Sequence, residues 1–420
     1  MNVRAGRFPL FDSLRAIAAL SVLCYHAAFF QFIASDSPLR PYTAHLDVGV
    51  TIFFLISGFL LYRPFVRARL KGAESPHVGA DAWRRFLRIT PAYWVALTVV
   101  ALWLGLSGVF TASGIPTYYL FLQIYDAHTS LGGIGQAWTL CIEVTFYAFL
   151  PLWAWLMRRL GAGVRRELIA LALLWLASLA FKVWALKQVA PNDLNSGPYL
   201  QPLPNFLDQF AVGMGLALLS VQAEGRERLP RAVEALRRHD WIPWLVAVLA
   251  YWVVSTRIGF TGVPFQGATR RQFLGRHELY TLVALALIVP AILAEPGRGL
   301  VGRILANRVL AYLGLISFGI YLYHYAVVKQ LDDWFGHSVG GPAELQWVLH
   351  AVAAILGATI LASLSYYVVE RPVLRLKRLV SPPVPVERGE ATEEPISASS
   401  ATPASTASAT SAGCRKRGTP

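Results

Sequence analysis

Residues 11–30 read FDSLRAIAALSVLCYHAAFF, a run long enough to cross a bilayer that still carries an arginine and a histidine. An apolar stretch of about 20 residues matches the hydrocarbon core of a membrane. An ionisable side chain inside such a stretch costs roughly 2.5–3.5 kcal/mol on insertion scales, so it usually faces a cavity and has a job. The pattern recurs along the chain. Ten apolar segments lie at roughly 11–33, 46–66, 90–107, 138–157, 168–186, 205–222, 241–257, 278–295, 309–329 and 346–368. They predict an all-α integral membrane protein, a bundle of about ten transmembrane helices. Ile115 to Tyr125 is apolar but too short to cross alone, which makes it interfacial or re-entrant.

Composition agrees. Of the 420 residues 55% are hydrophobic and 15% charged, against about 25% charged in a soluble domain. A cleaved signal peptide is not expected, because the first apolar run is too long and contains Arg15 and His26. The net charge of +14 does not call for nucleic acid, since basic residues collect in cytoplasmic loops and no nucleic-acid signature is present. Of the 38 Lys and Arg, 29 fall at the two ends and in alternate loops, and only seven in the intervening loops. That alternation places both termini in the cytoplasm. Arg270, Arg271 and Arg276 break the bias in the loop read at 258–277, so either they serve a periplasmic acceptor or the segment is misplaced there. Cys24, Cys141 and Cys414 form neither a disulfide framework nor a metal cluster. Residues 1–380 are read as the membrane domain and 381–420 as a disordered Ser/Thr/Ala/Pro-rich cytoplasmic tail, too poor in apolar groups to fold.

The polar residues in apolar company are the candidates for chemistry. Arg15 and His26 are eleven apart, which brings them to within about 20° of one helix face and separates them by about 16.5 Å along the axis. They are expected to line one groove, with Asp12 pairing to Arg15. Taken singly, the arginine has an equally good account as a snorkelling residue. In LDVGVTIFFLISGFLLYRPF (46–65), Ser57-Gly58 reads as a site of close helix packing. In DAWRRFLRITPAYW (81–94), Arg85 and Arg88 point the same way near the expected helix start at Pro91. Two guanidiniums beside a helix N-terminus suit phosphate, although the cytoplasmic bias alone also accounts for them. Glu143 lies one turn inside GQAWTLCIEVTFYAFLP (135–151), close to Trp138, Thr139 and Tyr147. It needs a partner, and Arg15 or His26 would serve, for catalysis or as a buried ion pair. His324 sits among Tyr321, Tyr323 and Tyr325 in LISFGIYLYHYAVV (315–328), as a substrate contact or a hydrogen-bonded core residue. Glu370-Arg371, before Pro372, reads as a helix terminus held by charge pairs.

Together these segments resemble the acyltransferase-3 family of membrane O-acyltransferases, over about residues 8–378. The carriers are Arg15 with His26, GVTIFFLISGFL, the Arg85–Arg88 pair in RRFLRITP, Glu143 in WTLCIEVTFY, and SFGIYLYH. The resemblance implies a multi-pass protein of the cell inner (plasma) membrane. It would move an acyl group, acetyl in the simplest case, from cytoplasmic acyl-CoA to a hydroxyl of a carbohydrate, glycolipid or secreted-metabolite acceptor. It implies His26, Arg15 and Glu143 as the catalytic set and Arg85 with Arg88 as holders of the acyl-CoA phosphates, with His324, Tyr321 and Trp138 near the substrate. No tightly bound cofactor and no metal are expected. Thr51 stands where family members often carry an acid, so a role resting on that acid does not transfer. Many members also carry an extra hydrolase-like domain; here the membrane domain is expected to deliver the acyl group itself. A transporter or flippase is the competing class, since charges at mid-depth also mark substrate pathways, but matched broken helices and repeat symmetry are not evident.

Overall fold

The computed structural model describes residues 8–32, 36–189, 197–226, 228–259, 269–336 and 341–376. The tail expected at 381–420 lies outside the described residues. Every long described element is a helix: α1 (Leu10–Phe32), α2 (Val48–Lys71), α3 (Val78–Trp103), α4 (Trp138–Arg159), α5 (Val164–Gln188), α6 (Leu207–Ala223), α7 (Trp241–Thr256), α8 (Arg270–Leu293), α9 (Arg308–Leu315), α10 (Ser317–Phe335) and α11 (Ala343–Ser365). Seven helical stretches are long and apolar enough to cross a membrane, or eight if α9 and α10, bent by 75° at their break, make one span. The apolar helices α6 and α7 are shorter, at 17 and 16 residues.

Side-chain size is sorted as lipid requires. On α11 the inward face is Ala351, Ala354, Ala358 and Ala362, all buried, and the outward face carries Leu356 and Ile360 at 60% and 67% exposure. In water that arrangement would be inside out. Against acyl chains it is favourable, because small residues let helix backbones approach and large apolar ones meet lipid. The same logic joins α2 to α6. A Cβ added at Gly58 would run into the Phe210 carbonyl, and one at Gly213 into that of Leu55. Helix α1 packs against α2, α8, α9, α10 and α11, so it is central.

Three boundaries differ from the sequence reading. Helix α3 starts at Val78, well before Pro91, so Arg85 and Arg88 lie in its second and third turns and not beside its N-terminus. Helix α8 starts at Arg270, capped by Thr269 and Gln272, which puts Arg270, Arg271 and Arg276 on a helix. Helix α11 does not stop at Glu370-Arg371. It passes through a π-helical turn, Tyr366–Glu370, into the short helix Arg371–Arg375. Residues 115–125 do not cross: Gly114–Tyr119 is a six-residue helix docked on α3 by Tyr93 Oη and Trp94 Nε1, each donating at 2.8 Å to the Tyr118 and Tyr119 carbonyls respectively.

Candidate active site

Two cavities open along α1. The larger, of about 600 Å³, is lined by His26, Trp138, Thr51, Asp47, Arg276 and His277 among others. The smaller, of about 110 Å³, holds Arg15, Arg88, Glu143, Ser57 and Tyr147. Val50 and Tyr321 line both. Arg15 and His26 therefore do not share one open groove. They face two chambers that meet at a partition. Its centre is Tyr321, whose hydroxyl lies 2.8 Å from Thr139 Oγ1 and donates to the Gln136 carbonyl at 3.1 Å. Phe53 packs edge-on against it, with ring centroids 5.9 Å apart.

His26 lines the larger chamber and is paired with His324. His324 Nε2 lies 3.1 Å from His26 Nδ1. His324 Nδ1 sits 2.9 Å from the Tyr321 carbonyl and 3.2 Å from that of Ile320. Carbonyls only accept, so Nδ1 of His324 carries the proton and its Nε2 presents a lone pair. His26 Nδ1 lies 3.0 Å from the Val22 carbonyl as well, so it too is the protonated nitrogen. In the neutral pair both of its acceptors therefore agree, and the lone pair of His26 is left on Nε2. The ring is held edge-on between Tyr25 and Tyr325, at centroid distances of 5.0 and 5.2 Å. A base whose second nitrogen is fixed by a partner is the arrangement that proton abstraction needs. Helix geometry explains the second layer: Ile320 and Tyr321 are four and three residues before His324, so their carbonyls belong to its own helix.

In the smaller chamber Glu143 accepts from Ser57 Oγ at 2.7 Å and from Tyr147 Oη at 3.3 Å. Ser57 thus does more than let helices approach. Arg15 pairs with Asp12 at 2.9 Å, as the i,i+3 spacing implied. Arg85 and Arg88 of α3 are not equivalent. Arg85 is held by Asp81, with Nε at 2.8 Å, and lies 5.0 Å over the Tyr147 ring, whereas Arg88 lines the chamber with Arg15 and Glu143.

Sequence reasoning missed a second polar layer on the far wall of the larger chamber. Asp47 at the start of α2 pairs with Arg276 and accepts from Tyr280 Oη at 2.5 Å. Asp208 binds Lys182 Nζ and His277 Nε2, each at 2.7 Å. The signal was present, since Lys182 stands alone in an apolar run. Asp208, His277 and Glu278 have metal-ligand atoms within 4.8 Å of one another. The Lys182 ammonium already occupies the same Asp208 oxygen as His277, so the cluster is a neutralised ion-pair network and fits a metal poorly. Thr51 is bound by Gln209 Nε2 at 3.3 Å, and the cavity's carboxylate on α2 comes from Asp47, one turn earlier.

Comparison with known proteins identifies the family. The chain is 27% identical over 403 residues to Nodulation protein 10 of Rhizobium leguminosarum bv. viciae, covering 89% of this chain and 95% of that one. It is 27% identical over 410 residues to the acyltransferase MdmB of Streptomyces mycarofaciens, covering 90% and 94%. It is 25% identical over 382 residues to the putative peptidoglycan O-acetyltransferase YrhL of Bacillus subtilis, covering 87% of this chain and 54% of that protein. The chain thus spans about half the length of that peptidoglycan relative. No solved structure matches it. The family model described as an acyltransferase domain matches residues 9–367, from the start of α1 to the end of α11, and the chain belongs to that family of O-acyltransferases.

Proposed function

We propose that the chain carries an acyl group from acyl-CoA to a hydroxyl of a carbohydrate or glycosylated acceptor, with the two substrates meeting at the Tyr321 partition. The observation that carries this reading is the His26–His324 pair, 3.1 Å apart, with His26 lining the larger chamber. The acceptor hydroxyl gives its proton to His26 Nε2 and attacks the thioester carbonyl. The C–S bond then breaks, and the proton passes from His26 to the departing CoA sulfur. General-base assistance of this kind contributes about 10²–10⁴-fold. His324 positions the base and does not touch substrate.

The smaller chamber suits the donor. It is narrow, as an acyl-pantetheine arm is, and Arg88 and Arg15 stand at it with guanidiniums of the kind that bind phosphate. The basic stretch from Arg63 to Arg88 lies on the side that the charge bias assigns to the cytoplasm, where acyl-CoA is found. We assign ten crossings with both termini cytoplasmic, counting α6, α7 and the bent α9–α10 pair as spans, and the inner (plasma) membrane as the location. Relatives named as peptidoglycan O-acetyltransferases support a sugar acceptor.

The test uses expression-matched membranes and radiolabelled acetyl-CoA. Free CoA should appear together with an O-acyl product. His26→Ala should lower kcat by at least about 10²-fold while a non-transferable acyl-CoA analogue still binds. Normal turnover in that variant would remove His26 from the chemistry, and absence of CoA release from wild type would remove the donor assignment.

A further inference from the structure

Glu370 closes the π-helical turn Tyr366–Glu370, where α11 passes into the helix Arg371–Arg375. Single π-turns are rare and recur at functional positions. This one ends on a buried acid: Glu370 is 7% exposed, and its Oε1 has no hydrogen-bond partner among the described residues. A buried carboxylate without a partner is strongly destabilising, so a cation must come within its reach. The π-turn and the helix after it both pack on α3, and the cation of α3 whose charge acts on the carboxylate is Arg88. Tyr323 of α10, which also senses Glu370, is neutral. Arg88 is the reciprocal case. Arg15 has Asp12 and Arg85 has Asp81, whereas Arg88 lines the smaller chamber and makes no hydrogen bond or ion pair among the described residues. The chamber's own acid, Glu143, is bound by Ser57 and Tyr147.

We propose that Glu370 is the resident counter-ion of Arg88, and that the guanidinium moves between this carboxylate and a phosphate of the donor. The axes of packed helices lie about 8–10 Å apart, a gap that a glutamate and an arginine side chain can close together. The structure holds Arg88 in the released position, turned to the chamber from which an anion would meet it. Its other position pairs it with Glu370. An internal competitor of this kind weakens every anion that needs Arg88, because the guanidinium is available for only part of the time. It weakens free CoA as much as acyl-CoA, and so favours departure of the product. The π-turn is what presents the carboxylate to α3, which gives the irregularity at the end of α11 a role in the donor site. The proposal rests on the acyl-CoA reading only for the identity of the competing anion.

The experiment separates the two. The full chain is purified in detergent as wild type, Arg88→Ala, Glu370→Gln and the double variant, and thermal unfolding is followed without ligand. Arg88→Ala strands the carboxylate and should lower the midpoint. In the Glu370→Gln background the same change should lower it by less than half as much, since no charge is left to strand. Binding of radiolabelled CoA is then measured. Glu370→Gln should tighten it by about threefold to tenfold, because Arg88 has lost its other partner. That gain should vanish when residue 88 is alanine, whereas a general electrostatic effect of the carboxylate would persist. An unchanged midpoint in Arg88→Ala overturns the pairing, and this arm needs no substitution at Glu370, so it decides even where glutamine disturbs folding. Additive midpoints, CoA binding that is unchanged or weaker in folded Glu370→Gln, or a gain that survives without Arg88 overturn it as well. A wild type that binds no CoA removes the donor reading and leaves the pair to be judged by unfolding; CoA binding without coupling between the two residues does the reverse.

Discussion

Replacing His324 by Ala isolates what a positioning residue contributes. In wild type, His26 Nδ1 has two acceptors, the Val22 carbonyl at 3.0 Å and His324 Nε2 at 3.1 Å. The substitution removes one of them. The backbone acceptor still selects the correct tautomer, so the base survives, but its ring is free to swing away from the hydroxyl. A single neutral hydrogen bond contributes about 0.5–1.5 kcal/mol. Together with the lost orientation, a fall in kcat of about 10- to 100-fold is expected, or about 1.4–2.7 kcal/mol of barrier. That loss is no greater than the one expected for His26→Ala. The KM for acyl-CoA should change by less than about threefold, because the donor lies in the other chamber. Since His324 acts through His26, the double variant should be no slower than His26→Ala alone. His324→Gln, which can still offer an oxygen to His26 Nδ1, should recover a large part of the rate. CoA release in membranes, normalised to folded protein because His324 is wholly buried, measures all four. A kcat within twofold of wild type for His324→Ala, or losses that multiply in the double variant, would show that His324 does not work through His26.

Arg88→Ala should raise the KM for acyl-CoA by about tenfold or more, and Arg85→Ala, whose guanidinium is held by Asp81, by less than about threefold; equal effects in a KM series would refute the distinction. Asp208→Ala leaves Lys182 and His277 buried beside each other without their carboxylate and should destabilise the protein by about 3–5 kcal/mol, read as lost thermal stability in detergent. Gly58→Ala forces α2 and α6 apart at a backbone carbonyl and should cost about 1–3 kcal/mol, whereas Gly79→Ala, with open space around it, should cost little; similar melting points would refute the close-packing account. Reporter fusions after Lys71 and Arg165 should read cytoplasm, and one after Gly114 outside.

The long helices were readable because a bilayer imposes a length and a composition, and seven of them, or eight with the bent pair, are long and apolar enough to cross. Ends were less readable where a helix extends beyond the apolar layer. The turns of α3 that carry Arg84, Arg85 and Arg88 look like loop because nothing there is buried in lipid, yet they are helical. The break between α9 and α10 lies at Ile316, with no proline to announce it. Within the site the Asp12–Arg15 pair followed from local spacing, whereas Glu143 takes Ser57 and Tyr147 as partners and not the Arg15 or His26 expected for it. The His26–His324 contact joins residues 298 apart and no periodicity relates them. Ser57 was taken as a packing residue because a serine beside a glycine in a membrane helix usually is one.

The thinness of the partition has a consequence for the cell that has nothing to do with catalysis. If the two chambers open to opposite faces, then at Tyr321 the electrical insulation of the membrane is reduced from a full hydrocarbon layer to about one phenol ring and its hydrogen bond to Thr139. On the proposed reaction, an acyl chain passing that point would have to open a hole and plug it in the same movement, or protons and ions would run through behind it. A bulky aromatic residue that swings on two torsions, and whose hydroxyl has a partner to return to, behaves like a sprung valve flap. Its value to the organism is then as much in the current it stops as in the substrate it admits.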